Sequence, residues 1–246
     1  MRFKIVTYNV HKCRGLDGRV RPDRVARVLK EVDADIVALQ EVLSIPGGPP
    51  EGHQAEYLAA ALGLNMRLGI TRTLRGGAYG NVVLSRFALG KGSSHDLSVA
   101  GREPRGCLRA EVVLGRGRHL HVFNVHLGTA YRERRHQGRK LVEPGLLDHP
   151  EQKGARIVLG DFNEWAPGLA SRLLRARLNS VDIRTHLRRR RTYPGMLPIF
   201  HLDHIYFDDP LELDALILHR TRTALLASDH LPLVADFRWD DRVVAT

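Results

Sequence analysis

Ile157-Val158-Leu159-Gly160-Asp161-Phe162-Asn163-Glu164 is the stretch on which the fold turns. Its three branched aliphatic residues predict a short buried strand. At the C-terminal end of that strand stand a carboxylate, Asp161, and an amide, Asn163, two residues apart. Alternation along an extended chain predicts both on one side, facing a cleft, with Phe162 turned into the core. An anion beside a neutral hydrogen-bonding group suits a site that holds a hard cation and a phosphate oxygen together.

The same arrangement recurs outward along the chain. Asn9 and His11 follow the apolar run Phe3–Tyr8, and Gln40 and Glu41 follow Ile36–Leu39. Asn124 and His126 close His119–Val125, and Asp203 and His204 open His204–Phe207. Ser228, Asp229 and His230 precede Leu233–Phe237. One polar residue at a strand end is ordinarily a cap or a turn. Six strands ended this way, in a chain whose other turns use Gly and Pro, predict a shared binding edge.

Between these strands the periodicity changes. Val25, Val28, Leu29 and Val32 have helical spacing behind Pro22, a residue suited to a first turn, and predict a helix over Pro22–Val32. Further helices are expected over Gln54–Leu62, Pro167–Ala176 and the strongly basic Tyr131–Leu147. Strands are expected over Asn65–Ile70, Asn81–Ser85, Cys107–Leu114 and Leu213–Leu218. Cys107–Leu114 would pair antiparallel with His119–Val125 across the Gly115–Arg118 turn. Residues 44–53, 71–80, 98–106 and 186–200 read as loops, the last holding the charge run Arg188–Arg191. Strands joined partly by hairpins and partly by helices argue for a mixed-sheet α/β sandwich. With no repeat and no dividing linker, one domain is expected over 1–246.

At 246 residues and 43% hydrophobic, the chain can bury a sizeable core. Lys and Arg number 38 against 27 Asp and Glu, and the net charge of +11 favours anionic partners such as nucleic acid or an anionic lipid surface. Aromatic residues at 6% argue against a stacking platform for single strands. The two cysteines, Cys13 and Cys107, form no C-x-x-C pair, which excludes a zinc ribbon or a disulfide framework. A first residue run that enters a strand, and the lack of any membrane-length apolar stretch, lead us to expect a soluble cytoplasmic monomer, with room for peripheral membrane contact.

The residue types define the chemistry. Glu41 and Asp229 are hard oxygen donors and Asn9 adds a neutral carbonyl oxygen, the pattern for Mg²⁺ with Mn²⁺ as substitute. The thirteen histidines are scattered and no H-E-x-x-H occurs, so zinc is not expected. His230 is a candidate general base or phosphate clamp, oriented by Asp203. Asn124 and His126 could hydrogen-bond nonbridging oxygens where charge develops.

Together the stretches Tyr8–His11, Leu39–Val42, Tyr79–Arg86, Phe123–Leu127, Arg134-x-x-Gln137, Gly160–Asn163, Leu202–Ile205 and Ser228–Pro232 resemble the endonuclease/exonuclease/phosphatase superfamily, in that family's order and across nearly the whole chain. The resemblance implies a DNase I-like, four-layer α/β sandwich: two packed mixed β-sheets flanked by helices. It also implies Mg²⁺-dependent cleavage of a phosphoester by water. Carried over, Glu41 is the main metal carboxylate, assisted by Asn9 and Asp229. Asp161 aligns or deprotonates water, Asn163 and His126 contact phosphate, and His230 with Asp203 forms a second catalytic centre. Either Asp161 or the His230–Asp203 pair could take the proton. His11, Asn81, Asn124 and Arg134 become substrate or phosphate contacts. His11 stands where DNA-repair members usually carry an acid, and the substrate loops of the inositol-polyphosphate branch are not evident. Thr192–Gly195 is similar to short bacterial members, themselves similar to sphingomyelinase-like relatives. Three functions follow: a phosphodiesterase on nucleic acid, a phosphodiesterase or phosphatase on lipid headgroups or small phosphoesters, and a catalytically silent anion-binding module.

Overall fold

The computed structural model describes residues 1–149, 152–166, 168–180, 192–193 and 201–241. They form two six-stranded mixed sheets. The first runs in the order β11 (Leu211–Leu218), β12 (Leu233–Trp239), β1 (Arg2–Asn9), β2 (Ile36–Ser44), β4 (Gly77–Ser85), β3 (Asn65–Leu74). The second runs β5 (Ala88–Asp96), β6 (Gly106–Gly115), β7 (Arg118–His126), β8 (Ala155–Asp161), β10 (Asp203–Phe207), β9 (Asn179–Ser180). Each sheet contains one parallel pair, β1 with β2 and β7 with β8, and its other pairs are antiparallel. A parallel pair needs a crossover. The helices α1 (Pro22–Val32) and α3 (Tyr131–Leu141) supply them. Among the described residues the further α-helices are α2 (Gln54–Leu62), α4 (Leu169–Arg175) and α5 (Arg222–Ala227).

Alternation sorts each strand into two faces. On β7, Leu120 and Val122 enter the core between the sheets, with Ile5, Ile36 and Ala38 from the first sheet. Phe123 and Val125 point the other way and pack with Leu141, Ala170 and Leu174 under α3 and α4. The inter-sheet cluster continues to Val25, Val28, Leu29 and Val32 of α1. Burying each such aliphatic side chain contributes about 1.5–3 kcal/mol. The result is four layers: helices, sheet, sheet, helices. Gly138 lets α3 and α4 meet, since a Cβ there would lie 2.8 Å from the Ala170 Cα.

Five sequence readings are corrected. β2 does not stop at Leu39 but runs to Ser44 through a bulge between Leu39 and Val42. Residues 71–80 are mostly a hairpin, β3 to β4, turned by Arg75 (φ 52°) and Gly76 (φ 78°). The basic helix ends at Leu141 rather than Leu147, because Pro144 disfavours helical backbone at Glu143. β5 and α5 carried no apolar signal strong enough to read, being a largely exposed edge strand and a helix of six residues. Finally, β8 ends at Asp161 and Asn163 is left-handed (φ 50°), so extended alternation is not what relates these two residues. Arg188–Arg191 and Pro167 lie outside the described residues.

Candidate active site

The parallel pairs end at one edge, and there the two sheets bring their polar residues together. Asn9 ends β1, while His126 and Asp161 end β7 and β8 as register partners. Asp203 opens β10 directly opposite Asp161. Asn9 joins the sheets: its Nδ2 donates to Asp161 Oδ2 at 3.0 Å and to Glu41 Oε1 at 3.3 Å. Asp161 Oδ2 also lies 3.6 Å from His126 Nε2 and 3.6 Å from His230 Nε2. His230 Nδ1 is 3.1 Å from Asp203 Oδ2. Six expected residues thus form one cluster: Asn9, Glu41, His126, Asp161, Asp203 and His230.

Local backbone explains how they arrive. Between the pairs Leu39–Val82 and Val42–Gly80, two residues of β2 face the single residue Asn81 of β4. That bulge, with Glu41 at φ 59°, lets the adjacent Gln40 and Glu41 both reach inward, which regular pleating forbids. His11, Lys12 and Cys13 are also left-handed, so five of the non-glycine residues with positive φ (these three, Glu41 and Asn163) stand at this edge. Left-handed backbone costs such residues about 1–2 kcal/mol each, and strain of that kind gathers at functional sites. Gly160, at φ 143°, is required by β7, because a Cβ there would sit 1.9 Å from the Val125 carbonyl oxygen.

The other expected residues occupy different places. Asn124 is fully buried: it accepts from Gln40 Nε2 at 2.7 Å and donates to the carbonyls of Leu39 and Val82. Asn81 donates to the carbonyls of Gly106 and Asn124. Both amides tie the sheets together behind the cleft, so the reading of these two as phosphate contacts is corrected. Arg134 donates from Nη1 to the carbonyls of Gly128 and Thr129, and Gln137 Oε1 accepts from the Gly128 N–H. The Arg-x-x-Gln pair therefore braces the loop leaving β7. Asn163 donates its backbone N–H to Asp161 Oδ1 at 2.9 Å and its Nδ2 to the Leu127 carbonyl, so it links Asp161 to the same loop. Asp229 faces His11 at 3.7 Å on the rim.

Residues 6–230 match the Endonuclease/Exonuclease/phosphatase family. The chain belongs to that family. It is 33% identical over 245 residues to the "Uncharacterized protein YbhP" of Escherichia coli (strain K12), covering 95% of each chain. Among solved structures it resembles the endonuclease/exonuclease/phosphatase from Beutenbergia cavernae (TM-score 0.75, 22% identity, 97% of this chain and 72% of that one). It also resembles the Bacteroides thetaiotaomicron mannosyl-6-phosphatase Bt3783 (TM-score 0.76, 17% identity, 96% and 100%). Membership in the endonuclease/exonuclease/phosphatase family makes the chain a hydrolase acting on phosphoesters.

Electrostatics divide the cluster into unlike parts. Burial alone would raise the Glu41 pKa, but the charged form of His126, the Lys12 ammonium and hydrogen bonds from Lys12 and Asn9 outweigh it and hold the carboxyl well below its usual range. His126 is itself pushed down to about 4, by burial and then by the Arg105 guanidinium. At neutral pH it is therefore Lys12, at 2.7 Å, that faces Glu41 as a cation. Burial would lower His230, yet the carboxylates of Asp203 and Asp161 push it up to about 10. Burial raises Asp161, with the charge of Asp203 adding to it against the opposing pull of the histidines.

Two neighbours were not among the site residues read from the sequence. Lys12 has the right place only because the chain turns left-handed after Asn9. The Tyr193 ring lies 4.7 Å from the His230 ring and reaches it from a distant part of the chain. No spacing rule joins residues so far apart.

Among the described residues no group of three or more His, Cys, Asp or Glu side chains is placed to hold an ion. Glu41 is nevertheless ionised, ordered by Asn9, and already faces a positive charge in Lys12. One carboxylate with amide and water ligands fits Mg²⁺, which keeps several waters and binds few protein groups.

Proposed function

We propose that this chain is a divalent-metal-dependent phosphoester hydrolase, of phosphodiesterase or nuclease type, in which water attacks phosphorus. One observation carries this reading: Asp161 Oδ2 lies 3.6 Å from two histidine Nε2 atoms and is bonded through Asn9 to Glu41. A buried carboxylate, a cationic imidazole and an ionised carboxylate in one cluster serve as base, anion clamp and metal ligand. We take residues 1–246 as one domain, since a single apolar cluster draws on both sheets.

Glu41, Asn9 and Asp229 would hold Mg²⁺, or Mn²⁺ in its place. The ion, when bound, supplies Lewis-acid polarisation of the phosphate. Asp161 takes the proton of the attacking water. Burial raises its pKa and so makes it a stronger base than a solvated carboxylate, and the Asn163 and Asn9 N–H groups keep its oxygens oriented. His230 is already protonated at neutral pH, which favours it as donor to the nonbridging oxygens rather than as base. Asp203 holds its ring in place. Neutral His126, whose Nε2 lies 3.6 Å from the same Asp161 oxygen, offers a further hydrogen bond. The net charge of +11 draws the anionic substrate to the edge.

The test is release of p-nitrophenol from bis(p-nitrophenyl) phosphate by the purified chain, with Mg²⁺, Mn²⁺ or EDTA. Turnover should require the ion and should disappear in Glu41→Gln. Turnover unchanged by EDTA would overturn the metal assignment, and no turnover of any activated phosphoester would return the chain to a silent anion-binding role. The alternative of lipid headgroup or small phosphomonoester substrates is separated by running p-nitrophenyl phosphate and phosphatidylglycerol vesicles beside the diester.

A further inference from the structure

Beside this edge lies a cavity of about 330 Å³, within the size range of small-ligand sites. Thr129, Tyr131, Arg134, Glu164, Trp165 and Leu169 are among its lining residues. Trp165 and Tyr131 are each 60% exposed. Trp165 follows Asn163 by two residues, so the chain separates them by at most about 7 Å. Tyr131 follows His126 by five residues, at the start of α3.

The Tyr131 ring and the residue next to Trp165 are both held. Glu164 Oε2 accepts from the N–H groups of Gly168 and Ser171 and from Ser171 Oγ, which ties the residue preceding Trp165 to the start of α4. Arg135 lies over the Tyr131 ring at 5.6 Å and donates to its hydroxyl at 3.2 Å. Arg134 and Gln137 brace the loop on which Tyr131 begins. Ordered aromatic faces offer stacking area at low entropic cost, and the neighbouring guanidinium groups suit the phosphate to which a stacked ring would be attached. The buried carboxylate of Glu164 in the wall disfavours a second phosphate there.

We infer that this cavity is the subsite for a planar ring carried by the substrate, so that the hydrolase prefers phosphoesters bearing a nucleobase or similar aromatic group. The inference rests on the hydrolase reading above and names the substrate class for that site. Low overall aromatic content argues against a track for many stacked bases, whereas two rings at one cavity serve a single ring. A concave, carboxylate-walled pocket suits a ring better than a bilayer, which meets flat or protruding aromatic residues.

The test uses the intact chain in EDTA, so that binding is read without turnover. Intrinsic fluorescence reports Trp165, since the second tryptophan, Trp239, is only 5% exposed. Adenosine 5′-monophosphate should quench it and bind roughly 5- to 150-fold more tightly than ribose 5-phosphate, the range of one base–aromatic stack. Trp165→Ala and Tyr131→Ala, read by calorimetry, should each reduce that preference and leave ribose 5-phosphate affinity unchanged. Phenyl phosphate binding as well as the nucleotide would assign the cavity to aromatic rings in general, and weaker binding would assign it to nucleobases. Equal affinity for the nucleotide and ribose 5-phosphate in the wild-type chain would overturn the subsite. So would Trp165-dependent binding of phosphatidylglycerol vesicles with no response to the nucleotide. A chain that shows the ring preference but turns over no phosphoester with Mg²⁺ would keep the subsite and sink only the hydrolase reading.

Discussion

Asn124 and His126 stand two residues apart on one strand and face the same sheet, yet they belong to different regions. Around Asn124 lies a layer of amides whose partners are backbone carbonyls and one another: Gln40 with Thr7 and Asn124, Asn124 with Leu39 and Val82, Asn81 with Gly106. Around His126 lies a layer of charges that face one another: Asp161 between two imidazoles, Glu41 against Lys12. The inner layer pairs the side-chain N–H groups of its three amides across the two sheets and so rigidifies the sandwich. The outer layer keeps buried like and unlike charges close, which shifts their pKa values and leaves the site less stable than it could be. One pleat of a strand separates the amide layer from the charged cluster to which we assign the chemistry.

The sharpest way to break this contrast is Asp161→Asn. We expect roughly 10²- to 10⁴-fold loss of kcat, the scale of a general base, with a melting temperature unchanged or higher because a buried charge is removed. A collapsed melting temperature would put Asp161 in the structural layer instead. Asn124→Ala should do the reverse. Leaving Gln40, Leu39 and Val82 without their partner should cost about 2–4 kcal/mol of stability, read by urea unfolding, with kcat per folded molecule retained. Loss of kcat without loss of stability would return Asn124 to the site.

Asp203→Asn probes the boundary between the layers. Removing this carboxylate lowers the His230 pKa from about 10. If the imidazolium is the active form, activity falls as pH rises through that pKa, so the alkaline limb of the rate profile should move to lower pH in the variant. A limb that stays in place would show that His230 does not act as a cation. Lys12→Met should have the smallest effect, because Lys12 is partly solvated. We expect a several-fold change in the Mg²⁺ concentration needed for half-maximal rate, with little change in kcat at saturating ion.

Strand and helix positions with strong periodicity were legible from the chain alone: α1 and α2 occur as read, and the β6–β7 hairpin closes across Gly115–Arg118. Their apolar spacing reports one local face, and local spacing is what a sequence records. The exposed edge strand β5 and the short α5 left no such trace.

Residue types at strand ends determined that polar groups would gather and that oxygen donors and histidines would form the chemistry. Which of them meet was decided only in three dimensions. A bulge brings Glu41 inward, a left-handed turn delivers Lys12, and β10 sets Asp203 against Asp161. Burial then pushed His126 down, while the carboxylates of Asp203 and Asp161 overrode it at His230 and pushed that ring up. Side-chain identity is local, but desolvation and the partners that offset it are properties of the packed sheets.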